Sequence, residues 1–267
     1  MKLFHCLLLA AFVAASVPVG AAPIVFSATD LLHEIGARQR AYYTTSAVNV
    51  ATLLGEPGGP RRWDFSYPRQ PVESIQRMDV VAPNDASHGV NYPNAAYAER
   101  LTNETTGARS WSYYRVATDQ GRLYYGFYDA VANAECPLKV FDAPTVDLPY
   151  RIQFGQSWSR TVDFADCIDA GFIVLDLAVH FISQAQVDAH GTLVLPGIGE
   201  VPALRVNEVN TYEITDLTLG LPIPTQHFRN YYWLVPGIGK AVHVISEGSA
   251  TVPPPNLTTA KTVPPRV

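Results

Sequence analysis

The strongest constraint on the fold is a two-residue hydrophobic period, because successive residues of a β-strand point to opposite faces of a sheet. Val, Ile, Tyr and Trp are enriched in segments of this period, and clusters of Gly, Pro, Asn and Asp separate the segments. The segments are Ser110–Val116, Arg122–Val131, Phe172–Ser183, Val201–Ile214 and His227–Val235. They predict an all-β chain, either an antiparallel sandwich or a curved half-barrel of about ten or more strands.

Two turns are predicted from a repeated Pro-Gly-Ile-Gly sequence. It occurs at Pro196–Gly199 and at Pro236–Gly239, each time between two apolar segments. Proline presets φ at the second turn position, and glycine accepts a positive φ at the third. We therefore expect two hairpins. A phosphate-binding loop is the alternative, but neither copy shows the strand–loop–helix setting and Lys-Ser/Thr ending that such loops use.

Helix is predicted in one place only, over Thr29–Arg40. Thr29 is a suitable N-cap, and Leu31, Leu32 and Ile35 would share one face. Gly36 weakens a helix, so the segment is alternatively an entry into the first strand.

The two ends of the chain differ from the rest. Residues 1–21 contain Lys2, an apolar run from Leu7 to Val17 and small residues at their end. This pattern predicts a signal peptide cleaved after Ala21. A membrane anchor is the alternative, although the run is short for about 30 Å of hydrocarbon. Residues 23–248 are predicted to form a single β domain, and the Pro-rich residues 251–267 a disordered tail.

Composition limits the classes of partner. Hydrophobic residues make up 48% of the chain, which is enough for a packed core. The net charge of −5 argues against nucleic-acid binding, which needs clustered Lys and Arg. No later apolar run is long enough for a transmembrane helix. The chain is therefore expected to be secreted or periplasmic.

Two cysteines remain once the predicted signal peptide is removed. Disulfides persist in exported proteins, so Cys136 and Cys167 are predicted to form one. Such a bridge would close a loop of about 30 residues and contribute about 3–4 kcal/mol to stability in the chain-entropy model. Two free buried thiols are the alternative.

Several short sequences together resemble a group of uncharacterised exported bacterial β-proteins. They include W-D-F-S at Trp63–Ser66, F-G-Q-S-W at Phe154–Trp158, and Y-Y-W-L-V-P-G-I-G at Tyr231–Gly239. G-T-L-V-L-P at Gly191–Pro196 belongs to the same set. The resemblance implies an exported β-protein and carries no assigned activity. The Y-Y-W strand and its turn are also similar to curved-sheet envelope lipoprotein carriers.

Catalytic and metal-binding motifs are weak. The sequence has no G-x-S-x-G elbow and no H-E-x-x-H zinc motif. His180 and Asp176 would share a strand face, although alternation alone does not bring them within coordination distance. Asp163, Asp166 and Asp169 are a candidate Ca²⁺ site if they lie in one loop, the alternative being a solvated acidic loop. No other cofactor is expected.

Aromatic residues offer the remaining candidate site. A strand face that displays aromatic side chains can stack sugars or line an apolar groove. The alternative is that these side chains pack in the core and pair across strands. The candidate ligand-binding residues are Trp111, Tyr113, Tyr125, Tyr231 and Trp233.

The sequence leaves two alternative functions. The first is a non-catalytic binding or structural protein, with a glycan, an apolar small molecule or an envelope protein as its partner. The alternative is a carbohydrate-active hydrolase that uses two carboxylates about 5–10 Å apart. No motif selects such a pair, and the acidic residues available for it include Glu99, Asp129, Asp163 and Glu213.

Overall fold

The computed structural model describes residues 23–43, 48–49, 51–66, 74–249, 259–263 and 265–266. The predicted signal peptide, residues 1–21, lies outside these ranges. Helices are short throughout the described part of the chain, and none of them has the length and apolarity needed to cross a membrane.

Strands make up most of the described residues, as the two-residue period predicts. The helical elements are the helix α1 (Ala51–Leu54) and three 3-10 turns, Ala28–Asp30, Pro83–Asp85 and Gly89–Asn91. The strands are β1 (Val25–Ser27), β2 (Arg38–Tyr43), β3 (Val48–Asn49), β4 (Gly58–Asp64), β5 (Ser74–Val81), β6 (Tyr97–Asn103), β7 (Arg109–Ala117), β8 (Gly121–Tyr128), β9 (Leu138–Pro149), β10 (Arg151–Gln153), β11 (Ser157–Asp169), β12 (Val174–Leu195), β13 (Gly199–Asp216), β14 (Gln226–Val235), β15 (Gly239–Ile245), β16 (Thr259–Val263) and β17 (Pro265–Arg266).

Two large sheets form the body of an all-β sandwich. The eight-stranded sheet has the order β11-β12-β13-β14-β15-β16-β3, with β4 parallel to β12 along part of its length. The seven-stranded sheet has the order β17-β2-β5-β6-β7-β8-β9. Its β9 lies beside β11, where the predicted disulfide between Cys136 and Cys167 is confirmed with a Cα–Cα distance of 5.8 Å. The bridge therefore joins the β8–β9 loop of the seven-stranded sheet to β11 at the edge of the eight-stranded sheet.

Both predicted hairpins are present. Leu195 pairs with Gly199 at the end of β12, and Val235 pairs with Gly239 at the end of β14. The glycines at the third turn positions, Gly197 and Gly237, have φ of +72° and +75°, as a proline-initiated turn of this type requires.

The predicted helix over Thr29–Arg40 is wrong. Only Ala28–Asp30 form a single 3-10 turn, and its cap is Ser27, which with Asp30 makes a capping box. Strand β2 already begins at Arg38, so the alternative of an entry into a strand is correct. Gly36 has a φ of +95°, which is incompatible with helix.

Part of the segment predicted as a disordered tail is paired. Thr259–Val263 form β16, which pairs with both β15 and β3, and Pro265–Arg266 pair with β2. The sequence between the two proline clusters contains the β-branched residues Thr259, Thr262 and Val263, which favour strand. This stretch passes from one large sheet to the other.

A bulge at Asp188 gives the eight-stranded sheet two separate cores. The β12–β13 register shifts between Val187 and Ala189, so odd-numbered residues of β12 change faces at that point. Before the bulge, Val187 packs between the two sheets with Val206 and Leu234. After it, Leu193 and other residues pack on the outer face against Trp63 and Trp233.

Candidate ligand cavity between the sheets

The aromatic residues predicted to form one ligand face do not come together. Tyr113 is fully buried, stacked on Tyr92 at 3.8 Å, and Trp111 and Tyr125 pack partly buried against the same cluster on the seven-stranded sheet. Tyr231 and Trp233 are buried in the outer core of the eight-stranded sheet. The five residues therefore lie in two separate packed clusters, one on each large sheet.

The three predicted calcium ligands also diverge. They lie in strand β11 and not in a loop, and Asp163 and Asp166 point to opposite faces because they are three positions apart. Asp166 accepts a hydrogen bond from the Asn133 amide and lies 2.7 Å from the Lys139 ammonium, whereas Asp169 accepts from the backbone N–H of Gly171. Among the described residues no group of three His, Cys, Asp or Glu side chains is placed to hold a metal.

His180 has a different partner from the one considered in the sequence. Its Nδ1 lies 2.6 Å from Oδ1 of Asp163 on the neighbouring strand, because the two residues are paired in register. Glu213 is its register partner on the other side. The Asp163 hydrogen bond raises the pKa of His180, and the Glu213 charge adds to this effect.

We expect the substitution Asp163→Asn to lower the pKa of His180, since it removes the hydrogen-bonded charge. A raised folded-state pKa contributes stability below the unfolded value of about 6.5, and this contribution is lost as pH rises through the folded pKa. Titration of the His180 ring by NMR measures the change, with Glu213→Gln as a variant expected to give a smaller decrease. Equal pKa values in the wild type and Asp163→Asn would contradict the assignment.

The carboxylates considered for hydrolysis do not form a pair facing a cleft. Asp129 accepts from the backbone N–H groups of Val131 and Ala132 in the β8–β9 loop. Asp163 and Glu213 flank His180 on an exposed row. Glu99 is held by Arg122 inside the sandwich.

A chain of buried charges crosses the space between the sheets. Arg122 donates to Glu99 at 2.8 Å and, through Nε, to Asp147 at 2.8 Å, and its guanidinium lies over the Tyr114 ring. The other oxygen of Asp147 accepts from Arg160 at 2.7 Å. Lys240 lies 3.7 Å from that oxygen. One carboxylate on β9 therefore compensates three cations from β8, β11 and β15.

The chain of charges continues onto the eight-stranded sheet. Arg160 lies 3.7 Å from Glu208, which also accepts a hydrogen bond from Ser183 at 2.7 Å. Asn230 donates to the second oxygen of Glu208 and is itself 3.2 Å from His243. These buried polar groups come from strands that are distant in sequence.

The buried charges shift several pKa values. Burial raises the pKa of Asp147, but the charges of Arg122, Lys240 and Arg160 outweigh burial and hold it well below its usual range. Burial raises the pKa of Glu99, against the opposing effect of Arg122. Burial and the nearby Lys240 charge lower the pKa of His243 to about 4, so this imidazole is neutral at pH 7.

An aromatic cavity of about 180 Å³ adjoins this network. Arg160, Val162 and Asn210 complete a lining that is otherwise formed by rings from both sheets. The rings touch one another around the space: Tyr124 meets Phe141 at 4.9 Å, and Phe181 meets Tyr212 at 4.8 Å. The aromatic lining residues are Tyr124, Phe127, Phe141, Phe164, Phe181 and Tyr212.

A second cavity, of about 290 Å³, shares Phe127, Phe164 and Tyr212 with the first. Its lining includes both cysteines of the disulfide, so it lies where the β8–β9 loop meets β11. The two cavities therefore adjoin along one end of the sandwich.

Exposed apolar side chains surround that end of the sandwich. Ile168 lines the second cavity and is 47% exposed, and Phe172 in the following turn is 87% exposed. Leu217, 64% exposed, lies beside this turn, since its backbone N–H donates to Asp176 of β12. Exposed apolar side chains therefore lie beside the second cavity, and contiguous apolar surface of this kind is typical of a binding surface.

Comparisons with protein-family models, curated proteins and solved structures find no match to this chain.

Proposed function

We propose that this chain is a non-catalytic, exported binding protein that holds a small apolar molecule between its two sheets. The aromatic cavity carries this proposal. A cavity of about 150 Å³ lined by apolar side chains is large enough for benzene. The space between Phe127, Phe164 and Phe181 has a volume of about 180 Å³ and is lined mainly by aromatic side chains.

The placement of the carboxylates supports binding over catalysis. Hydrolysis of a glycoside needs one carboxyl group free to donate a proton and a second free to attack or to activate water. Glu99, Asp147 and Glu208 are the acidic groups of the buried network that adjoins the cavity, and each is engaged with an arginine. These ion pairs favour a role in holding the charged side chains beside the cavity in fixed positions.

Export rests on two observations. Disulfides form and persist in oxidising compartments, and Cys136 and Cys167 are bridged. The pattern in residues 1–21 predicts a signal peptide. A secreted or periplasmic location is therefore part of the proposal, and an envelope or extracellular source would supply the ligand.

We expect toluene to bind the wild-type protein in a saturable one-to-one manner, and Val162→Phe to weaken this binding at least tenfold. Val162 is 4% exposed and lines the cavity, so the added ring would occupy the space of the ligand. Isothermal titration calorimetry measures both affinities.

The matched control is Val140→Phe, since Val140 is 43% exposed and lies outside the cavity lining. This variant is expected to bind toluene as the wild type does. Absence of toluene binding to the wild type, or equal binding to Val162→Phe, would overturn the proposed function.

A further inference from the structure

Two buried polar atoms in the wall of the aromatic cavity lack a hydrogen-bond partner among the described residues. They are the Nε–H of Arg160, a donor, and Oδ1 of Asn210, an acceptor. Both residues line the cavity of about 180 Å³. Buried polar atoms are almost always paired, so this donor and this acceptor in one cavity wall are suited to a polar group of a bound molecule.

Strand register places the two residues in one row. Arg160 of β11 pairs with Ser183 of β12, which pairs with Asn210 of β13. Two strand spacings separate the Cα atoms of Arg160 and Asn210 by about 10 Å. Their side chains extend from the same face into the same cavity, because all three residues in the row face the seven-stranded sheet.

The remaining atoms of Arg160 are already engaged. Its Nη1 donates to Asp147 at 2.7 Å, and its Nη2 lies 3.7 Å from Glu208. The guanidinium lies over the Phe181 ring at 5.3 Å. The side chain is therefore held in place while its Nε–H has no acceptor among the described residues. This N–H is a fixed donor for a ligand.

The charge around the cavity favours a neutral ligand. The cations of the buried network are as numerous as its carboxylates, so a ligand anion would add an uncompensated charge in a poorly hydrated interior. The cations are Arg122, Arg160 and Lys240, and the carboxylates are Glu99, Asp147 and Glu208.

We propose that the cavity selects a small neutral aromatic molecule with one hydroxyl group, of the phenol class. The hydroxyl oxygen accepts from Arg160 Nε–H, and the hydroxyl hydrogen is donated to Asn210 Oδ1, while the ring packs against Phe164 and Phe181. This assignment rests on the proposed function, since it names the ligand class for the same cavity. A hydroxyl group is suited to the site because it is both donor and acceptor.

The test compares phenol, toluene, anisole and benzoate by isothermal titration calorimetry on the full chain. Toluene has nearly the shape of phenol without the polar group, anisole cannot donate a hydrogen bond, and benzoate is charged. We expect phenol to bind about tenfold more tightly than anisole, the factor typical of one net hydrogen bond. Benzoate is expected to bind more weakly than phenol.

The variant Asn210→Leu removes the acceptor with little change of shape. The ratio of the toluene to the phenol dissociation constant is expected to fall about tenfold in this variant, with toluene binding retained. Arg160→Lys keeps the positive charge, removes the Nε donor, and is expected to lower the same ratio.

The outcomes separate the two proposals. If toluene binds and the phenol ratio is unchanged in both variants, the hydroxyl site is wrong while the proposed function stands. Tighter binding of benzoate than of phenol would likewise overturn the neutral ligand class. If toluene does not bind the wild type, the proposed function fails, and the hydroxyl site, which rests on it, fails with it.

Discussion

Replacing Asp147 with asparagine is expected to lower the free energy of unfolding by about 3–5 kcal/mol, the range for breaking a buried ion pair by removing one partner. Asp147 is 5% exposed and accepts from Arg122 and Arg160, with Lys240 close by. The substitution keeps the shape of the side chain but leaves these cations without their shared carboxylate. Urea denaturation followed by far-UV circular dichroism measures the loss.

The effect should depend on pH in a defined direction. A carboxylate whose folded pKa is held below the unfolded value, about 3.9, contributes stability above that value and loses it as pH falls through the folded pKa. The pKa of Asp147 is shifted in this direction, because the surrounding cations outweigh burial. The difference between the wild type and Asp147→Asn is therefore expected to be full at pH 7 and to shrink below about pH 4.

The matched control is Asp142→Asn on the same strand, since Asp142 is exposed. Its effect on stability is expected to stay within about 0.5 kcal/mol, as is usual for surface positions. A loss of stability in Asp147→Asn no larger than that of Asp142→Asn would contradict the central role given to Asp147.

Removal of the disulfide is expected to cost about 3–4 kcal/mol in the free energy of unfolding, by the chain-entropy model for a loop of this length. The bridge closes a sequence separation of 31 residues and ties the β8–β9 loop to β11. A double variant, Cys136→Ser with Cys167→Ser, is compared with the wild type by urea denaturation. The wild type treated with a reductant is the control and should match the double variant.

Loss of the bridge should also affect the second cavity. Both cysteines line it, and Lys139 beside them is paired with Asp166 of β11. We expect the amides of residues 129–137 to exchange hydrogen faster in the double variant than in the wild type. A stability loss below about 1 kcal/mol, with unchanged exchange, would contradict a structural role for the bridge.

The fold class was predictable because its signals are local. The two-residue period of segments such as Ser110–Val116 and Val201–Ile214 corresponds to β7 and to part of β13. The two Pro-Gly-Ile-Gly sequences contain all that their hairpins need, a fixed φ followed by a positive one. Over Thr29–Arg40 the apolar spacing indicated a helix. Gly36 disfavours a helix, however, and the residues from Arg38 onward pair with β5 as strand β2.

The division into two cores was not predictable from alternation. A single extra residue at Asp188 reverses the faces of β12, and its carboxylate is held by Arg205 at 2.8 Å. Nothing in the sequence of β12 marks this position as a bulge, since Val187 and Ala189 continue an ordinary strand pattern. The second core around Trp63 and Trp233 depends on it.

The cavity was missed because its residues come from strands far apart in sequence. One signal was available, however. Arg122, Asp147, Arg160 and Glu208 lie within strands at the alternation positions that face the interior, where charged side chains are rarely found unless paired. The opposite charges of this set indicated a buried ionic network, whereas pairing across sheets determined which aromatic residues surround it.

A crystal of the protein soaked in iodobenzene tests the central claim most directly, because the iodine atom is located by its anomalous scattering. Binding between the sheets predicts an iodine peak inside the cavity lined by Phe127, Phe164 and Phe181. Crystals of Val162→Phe should lack that peak. Only ordered water in the wild-type cavity, with iodine confined to the protein surface, would contradict a binding site for small apolar molecules.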